Sequence, residues 1–303
     1  MSATELSVFG RPNDRLRRRR RVNRVIELIA WLAAAVGVAL LGVLVGYVAL
    51  RGASQLSLGL LTKPQVPYAL TSVSQGLANA FVGSLVIVGI ATAMALPFGM
   101  LIAIYVSEFA PRAIKGFVGL VLDTLAGIPA IVVGIFVYGL LVVGHGQSGL
   151  DGSFAYAIIM LPFVARSTIE LLALVPSSLR EAGLALGAPR WRTTLGVVLP
   201  HAIGGILTGA VLAVARVAGE TAPLLLTTSI VGQGIAWNPL HAMQTVPVAI
   251  YELADSPVPS DHALAWAGAF VLIVFILIVS LTARWLAGRS RRKLTGMSRL
   301  PNW

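Results

Sequence analysis

Six long apolar segments constrain this chain of 303 residues more than any other feature of its sequence. A helix needs about 20 apolar residues to cross the hydrocarbon core of a bilayer, and each segment reaches that length. Hydrophobic residues make up 57% of the sequence and charged residues 12%, which argues against a water-soluble domain. Membrane barrels are disfavoured because their strands alternate apolar and polar residues. We therefore predict an all-α integral membrane protein with six transmembrane helices, at residues 25–50, 77–106, 117–143, 154–176, 204–230 and 263–287.

The basic residues are distributed unevenly between the two sides that six spans create. Of the 23 lysines and arginines, 19 fall in the N-terminal tail, in the second and fourth loops and at the C-terminal end from Arg284 onward. Since basic loops stay in the cytoplasm, both termini are predicted to be cytoplasmic. The predicted parts are a basic tail at 1–24, a transmembrane domain at 25–290 and a second tail at 291–303. The net charge of +11 is thus explained by topology and lipid headgroups, and nucleic-acid binding is disfavoured.

The segment 180–200, between the fourth and fifth predicted spans, is too apolar for a solvated linker and too charged to cross a membrane. Its first half favours a helix, which Gly187 and Pro189 interrupt before a second helical part leads to Pro200. Such an amphipathic segment offers an apolar face to a partner protein or lies on the membrane surface. The residues with the most specific spacing are Glu181, Ala182, Gly183, Gly187, Leu199 and Pro200.

Two arginines and two glutamates lie inside predicted spans, where a charged side chain costs at least about 2.5 kcal/mol. Arg166 precedes Glu170 on the fourth span and Arg216 precedes Glu220 on the fifth, each pair four residues apart on one helix face. The reverse order supports a helix better, so helix stabilisation explains the pairs poorly. Arginine binds tetrahedral oxyanions through two parallel hydrogen bonds and keeps its charge in a dry site. We predict a path for an anion, and the alternative is two structural ion pairs.

Prolines mark places where two predicted spans are interrupted. Pro223 removes one backbone hydrogen bond and frees the carbonyl of Gly219, so a kink is predicted in the fifth span, next to Thr221 in the anion path. On the third span, Pro129 allows a kink and Asp123 lies about six residues inside the cytoplasmic boundary, where water reaches it. Asp123, Pro129 and Pro223 are therefore candidate gate elements, and a packing role for Asp123 stays open.

Two resemblances to known families follow from these residues. The pattern at 180–200 resembles the EAA motif of ABC importer permeases, with Gly183 where that motif usually has alanine. From about residue 70 to 290 the chain resembles the phosphate-importer permeases of the PstA type. The residues that carry the second resemblance include Ala95-Leu96-Pro97, Tyr105-Val106-Ser107-Glu108, Gly127-Ile128-Pro129, Arg166-Ser167-Thr168, Gly219-Glu220-Thr221-Ala222-Pro223 and Val246-Pro247-Val248.

The resemblance implies the type I ABC importer permease fold and a subunit that moves phosphate into the cytoplasm by alternating access. In that family the EAA segment is a coupling helix that docks on a cytoplasmic ATPase. The implied partners in the bacterial cytoplasmic membrane are a second permease (PstC type), two ATPase copies (PstB type) and an extracytoplasmic phosphate-binding protein (PstS type). The chain contains no Walker A sequence, so ATP and Mg are expected on the ATPase, with no cofactor and no catalysis on this chain.

Other transport functions compete with this interpretation. A permease for sulfate or molybdate is the nearest alternative, because arginine binds any tetrahedral oxyanion. A secondary transporter or channel that works alone is less compatible, since it needs no docking helix and the six spans show no inverted repeat. An intramembrane enzyme is disfavoured because the sequence has no paired histidines and no G-x-S-x-G motif.

Overall fold

The computed structural model describes residues 14–65, 75–229 and 234–296, and within these ranges the chain is helical without β-strands. Its contacts divide the chain into a unit at residues 1–50 and a unit at residues 51–303. The described part of the first unit is residues 14–50, which belong to α1 (Asp14–Gly52) and whose apolar side chains are largely exposed, as in a helix that faces lipid. This helix begins inside the predicted tail 1–24, because the arginines that precede the apolar run are themselves good helix formers.

Five described helical segments are long and apolar enough to cross a membrane, and a bent pair of helices supplies a sixth candidate. The five are Arg18–Gln55, Ala78–Phe109, Gly149–Ala173, Arg190–Val217 and Pro259–Thr282. After α1, the helices are α2 (Leu58–Thr62), α3 (Ala78–Ile104), α4 (Arg112–Gly127), α5 (Ala130–Val137), α6 (Gly149–Ala173), α7 (Ser177–Ala185), α8 (Arg190–Thr193), α9 (Leu199–Val217), α10 (Ala222–Thr227), α11 (Val246–Ala254) and α12 (Pro259–Gly296).

The third predicted span, 117–143, is not one straight helix. It consists of α4 and α5, which are bent by 94° at the break between Gly127 and Ala130. A residue before proline is disfavoured in the helical region, and Ile128 is extended, with φ −68° and ψ 129°. Pro129 therefore ends α4 and caps the start of α5. The sequence indicated a kink at Pro129, and the structure has a complete change of direction there.

The fifth predicted span, 204–230, is displaced towards the N-terminus and interrupted. The helix is continuous from Arg190 to Val217, with one wide turn at Thr194–Val198 just before Pro200. A wide turn accommodates a proline that has no N–H to donate. The helix ends at Val217, and α10 begins at Ala222 with Pro223 in its first turn. The interruption predicted around Gly219–Pro223 is present, and it is a non-helical stretch between two helices rather than a kink within one.

Helix α6 lies at the centre of the second unit and packs against α3, α4, α5, α9 and α10. Small residues allow this close packing. A methyl group built on Gly99 would lie 2.9 Å from a methyl of Val164, and one built on Gly205 would lie 2.7 Å from a methyl of Leu171. Glycine at such positions lets helix backbones approach, which is how membrane helices gain van der Waals contact.

A buried polar network holds the segment before α11 against the start of α3. The Nδ2 of Asn79 donates to Oε1 of Gln244 at 2.9 Å, and the Nε2 of Gln244 donates to the carboxylate of Glu252 at 2.8 Å. The N–H of Val246 donates to the hydroxyl of Ser84 at 2.9 Å. This part of the chain, for which the sequence predicted no structure, therefore has a helix and a fixed polar contact.

Candidate functional site

One face of α6 carries the residues around which the candidate site is built. Tyr156, Phe163 and Arg166 follow one another at spacings of seven and three residues, so they lie on one side of the helix. Phe163 and Arg166 are about 4.5 Å apart along the helix axis at 1.5 Å per residue. Neighbouring helices supply the groups that contact this face.

Arg166 forms an ion pair with Asp123 of α4. Its Nη2 also donates to the carbonyl oxygen of Gly119 at 2.7 Å, whereas its Nε is buried without a hydrogen-bond partner in the described residues. The predicted partner Glu170 is exposed, and within the described chain it forms no ion pair with Arg166. The pairing predicted from the spacing of four is thus wrong, because the guanidinium reaches across to another helix rather than along its own.

Arg216 lies in the last turn of α9 with its guanidinium over the ring of Phe163, 4.2 Å from the ring centroid. This is a cation–π contact, which holds the guanidinium without neutralising its charge. Glu220 lies beyond the end of α9, in the interruption before α10, and its carbonyl oxygen accepts a hydrogen bond from the hydroxyl of Tyr156. The prediction that Arg216 and Glu220 share one helix face is therefore wrong, since the helix has ended before Glu220.

The two short helices that follow the interruptions, α5 and α10, lie against each other. A methyl group built on Gly134 of α5 would lie 2.7 Å from the Cα of Pro223 in α10. Thr221 is the residue before α10 and makes no side-chain capping bond. The structure thus brings the short helix after Pro129 into contact with the short helix that contains Pro223. Pro223 thus packs on the helix that begins after Pro129, whereas Asp123 pairs with Arg166.

The predicted coupling segment folds as two helices joined by a sharp turn. Helix α7 contains Glu181 and Ala182, both exposed, and Gly183, which is buried. Gly187 has φ +78°, a conformation that favours glycine, and its N–H donates to the carbonyl of Leu184 at 2.9 Å. The second predicted helical part is α8, which continues through the wide turn into Leu199 and Pro200 at the start of α9. Large apolar side chains remain exposed on this segment, including Leu184, Leu186 and Trp191.

Glu108 and Arg180 form an ion pair that was not predicted from the sequence. Arg180 donates through Nη2 to Oε1 of Glu108 at 2.8 Å and through Nε to both carboxylate oxygens at 3.2 and 3.1 Å. The two residues are 72 positions apart, so no helical periodicity relates them. Arg180 was assigned to the topological charge of its loop. Its position directly before Glu181 was the one available signal.

Comparison with known proteins agrees with this architecture. Residues 95–292 match the family of the binding-protein-dependent transport system inner membrane component. The phosphate transport system permease protein PstA of Xylella fastidiosa strain 9a5c is 38% identical over 278 residues, which are 91% of this chain and 96% of the relative. The PstA protein of Haemophilus influenzae is 41% identical over 215 residues, which are 69% of this chain and 74% of the relative.

Solved structures of ABC importers share the fold. A bacterial ABC transporter involved in the import of the acidic polysaccharide alginate aligns with a TM-score of 0.62 at 15% identity, covering 90% of this chain and 99% of the other. The inward-facing MetNI methionine ABC transporter aligns with a TM-score of 0.55 at 18% identity, covering 71% of this chain and 94% of the other. The fold is that of a type I ABC importer permease. This multi-pass membrane chain belongs to the binding-protein-dependent transport system inner membrane component family, among the permeases of the PstA type.

Proposed function

We propose that this chain is the membrane-spanning subunit of an ATP-driven importer that moves inorganic phosphate into the bacterial cytoplasm by alternating access. The observation that carries the proposal is the position of two arginines beside one turn of α6. Arg166 projects from that helix, and the guanidinium of Arg216 lies on Phe163, three residues earlier. Two permanent cations beside the same turn of α6, within an apolar helix bundle, favour the binding of an anion between them. The printed names of the relatives support phosphate as that anion.

The contacts of Arg166 suit a site that binds and releases an oxyanion. Its Nη2 is engaged by Asp123, while its buried Nε remains available for a second hydrogen bond. Phosphate that reaches this guanidinium competes with the Asp123 carboxylate, because both are oxyanions that bind the same donors. Asp123 then acts as the gate residue that holds Arg166 between transport cycles. This competition keeps the affinity low enough for release.

The remaining pathway residues line the approach to the arginines. Glu170 lies one helical turn beyond Arg166 towards the side predicted to be cytoplasmic, and its exposed carboxylate weakens the binding of an anion at Arg166. Glu220 and Thr221 lie in the interruption after Arg216, next to the contact between Gly134 and Pro223. Movement of the two short helices at this contact changes the distance of Glu220 from the path. Pro129 and Pro223 are thus the proposed hinges of the gate.

The working protein is a complex in the bacterial cytoplasmic membrane, with both termini of this chain in the cytoplasm. A second permease of the PstC type completes the path, and a PstS-type protein delivers phosphate from outside. Two PstB-type ATPases hold ATP and Mg and bind the coupling segment, where Leu184, Leu186 and Trp191 offer exposed apolar surface. The predicted coupling residues shape that segment and do not contact phosphate. They are Glu181, Ala182, Gly183, Gly187, Leu199 and Pro200.

Uptake of labelled phosphate into proteoliposomes that contain the full complex tests the pathway. We expect Arg216→Gln to reduce uptake at least tenfold, which corresponds to about 1.4 kcal/mol, while the ATPase still copurifies. Arg112→Gln is the matched control, since it removes an exposed arginine outside the bundle. Normal uptake by Arg216→Gln would refute the pathway role. Recovery of the chain from its native membrane without an ATPase would refute the importer.

Competition separates phosphate from the alternative oxyanions. Unlabelled phosphate is expected to abolish labelled uptake, whereas equal sulfate or molybdate leaves it unchanged. Arginine binds all three ions, so the discrimination resides in the binding protein and in the protonation state of phosphate. If sulfate or molybdate competed more strongly, that ion would be identified as the cargo in place of phosphate. The conclusions on the fold and on the coupling segment would not change.

A further inference from the structure

One guanidinium connects three helices on the side of the molecule that carries the coupling segment. Arg180 belongs to α7, and Glu108 lies in the wide turn Tyr105–Phe109 that ends the α3 span. Three donor–acceptor contacts of 2.8 to 3.2 Å join the two side chains. The carboxylate side chain is 10% exposed and that of Arg180 is 27% exposed. A pair with this geometry is directional and poorly screened by water.

The same guanidinium also binds the end of α6. Its Nη1 donates to the carbonyl oxygen of Val175 at 2.7 Å, and its Nη2 donates to the carbonyl oxygen of Leu172 at 2.8 Å. Leu172 lies in the last turn of α6 and Val175 lies two residues beyond its end. Carbonyls at a helix end have no partner within the helix, so a cation there satisfies them and interacts favourably with the helix dipole. Arg180 therefore fixes α7 to the central helix α6 as well as to α3.

Apart from Arg180, α7 is held to the membrane-spanning helices mainly by apolar packing of Leu179 against the buried cluster that includes Leu172 and Val198. Glu181 and Ala182 are exposed, and Gly183 is the one buried residue that the helix contributes among those described. Gly183 contacts Thr193, which belongs to the α8 side of the turn. The direct polar connection from α7 to α3 and α6 thus runs through Arg180.

We propose that Arg180 and Glu108 are positioning residues that make α7, the end of α3 and the end of α6 move as one body, so that displacement of the coupling helix reaches the Arg166 face of α6. The inference rests on the proposed function, because it assumes that an ATPase displaces α7. Neither residue contacts phosphate. The pair determines how much of the ATPase motion becomes transport.

Removing an ion pair that only stabilises the fold has different measurable effects from removing one that transmits the motion of α7. Loss of stability lowers the amount of assembled complex, and phosphate uptake and ATP hydrolysis then fall together. Loss of transmission lowers the phosphate transported per ATP hydrolysed in the complex that remains assembled. The ratio of these two rates is therefore the readout that separates the two roles.

The first experiment measures this ratio for Arg180→Lys and Glu108→Gln in the reconstituted full complex. Lysine keeps the charge but cannot bind a carboxylate and two carbonyls as a planar fork. We expect at least a fivefold lower ratio for both variants, with the ATPase still copurifying. Lys115→Gln is the matched control, because the exposed Lys115 donates to the carbonyl of Ser107 in the same turn at 2.9 Å without joining α7. Its ratio is expected to stay within twofold of wild type.

The second experiment replaces the ion pair by a covalent link, and the absence of cysteine from the sequence gives it a clean background. The double variant Glu108→Cys with Arg180→Cys is expected to lose coupling. A flexible bifunctional thiol reagent is expected to restore at least half of the wild-type ratio, whereas a monofunctional reagent restores none.

Each outcome bears on the proposal separately from the proposed function. Wild-type ratios in Arg180→Lys and Glu108→Gln, or a verified cross-link that restores nothing, would overturn the transmitting role. If the wild-type complex itself transported no phosphate, the proposed function would fail instead. Uptake and ATP hydrolysis that fall in parallel would assign the pair to stability alone.

Discussion

Two arginine–carboxylate pairs in this molecule share the same chemistry and differ in their surroundings. Arg166 and Asp123 are joined between α6 and α4, and their side chains are 33% and 66% exposed. Arg180 and Glu108 are joined between α7 and the end of α3, and theirs are 27% and 10% exposed. The first guanidinium has one additional carbonyl partner and an unused Nε, whereas the second binds two carbonyls and both carboxylate oxygens.

This difference indicates which pair is able to open. An exposed pair loses little when it separates, because water solvates both charges and salt screens them. A buried pair that also satisfies helix-end carbonyls leaves several groups without partners when it separates. The Arg166 pair is thus suited to exchange its carboxylate for a substrate, and the Arg180 pair to stay closed.

The largest expected effect is on stability at the Arg180 pair. Glu108→Ala leaves a mostly buried guanidinium without its carboxylate, and breaking a buried pair typically costs about 3–5 kcal/mol. We expect a loss of about 3 kcal/mol, measured by denaturation in detergent. Asp123→Ala is the matched variant at the exposed pair and is expected to cost less than about 1 kcal/mol. Equal losses would remove the distinction between the pairs.

A glycine near each pair tests how tightly the two regions are packed. A methyl group on Gly183 would lie 2.5 Å from Cγ2 of Thr193, whereas one on Gly119 meets nothing closer than Nη2 of Arg166 at 3.6 Å. Gly183→Ala is therefore expected to lose about 1–3 kcal/mol through overpacking, although alanine is usual at this place in the motif. Gly119→Ala is expected to be neutral or to gain up to about 1 kcal/mol.

The Gly183 prediction has an internal check. Adding Thr193→Ala removes the opposing methyl and also a buried hydroxyl that lacks a partner among the described residues. The double variant is expected to recover most of the stability that Gly183→Ala loses, in a double-mutant cycle measured by denaturation. No recovery would mean that another contact limits the space at Gly183.

The exposed pair is expected to affect transport more than stability. Asp123→Asn keeps the shape of the side chain and removes the charge that competes with an anion for Arg166. We expect a change in unfolding free energy below about 1 kcal/mol and a fall in maximal phosphate uptake of roughly threefold to tenfold, since tighter binding slows release. Uptake as a function of phosphate concentration checks this. A lower half-saturation concentration is required, and an unchanged one would contradict the gate.

The smallest effect on stability and transport is expected at Glu252, whose carboxylate has a hydrogen bond and no ion pair within the described chain. Burial raises the pKa of Glu252, more than the hydrogen bond from Gln244 lowers it. The folded state then holds a proton that the unfolded state has released, so stability declines as pH rises from about 4.3 through the raised pKa. Glu252→Gln is expected to abolish that decline in a series of denaturation curves. Uptake at neutral pH is expected to change by less than about twofold.

The sequence was sufficient for the helices because lipid imposes a length and a composition that can be counted. The charges around each apolar run predicted a topology, and the spacing from Glu181 to Pro200 indicated the segment that forms α7, its sharp turn and α8. Gly187 was expected at a turn, and its φ of +78° bears that out. Local rules work in these places because each feature depends on residues a few positions apart.

The contacts of the arginines were predicted wrongly because they depend on tertiary packing. A spacing of four placed Glu170 with Arg166, yet the carboxylate that reaches Arg166 comes from Asp123, on a helix whose direction Pro129 determines. The interruption before Pro223 likewise moved Glu220 off the helix of Arg216. Arg180 and Glu108 showed no pattern in the sequence, since their contact requires the ends of α3 and α6 to meet. The partners of long side chains can be identified only once the relative positions of the helices are known.

The contact between Arg180 and Glu108 also decides whether the bent pair of helices is a complete crossing. Side chains 2.8 Å apart lie on the same side of a bilayer. The chain between them contains the straight span α6 and the pair α4 and α5, so an even number of crossings is needed for its ends to meet. If α4 and α5 entered and left on one side, α6 alone would separate Glu108 from Arg180 by the full membrane thickness. Helices α4 and α5, with the 94° bend between them, therefore form one crossing of the membrane. Residues 143–148 then lie on the side opposite to the coupling segment.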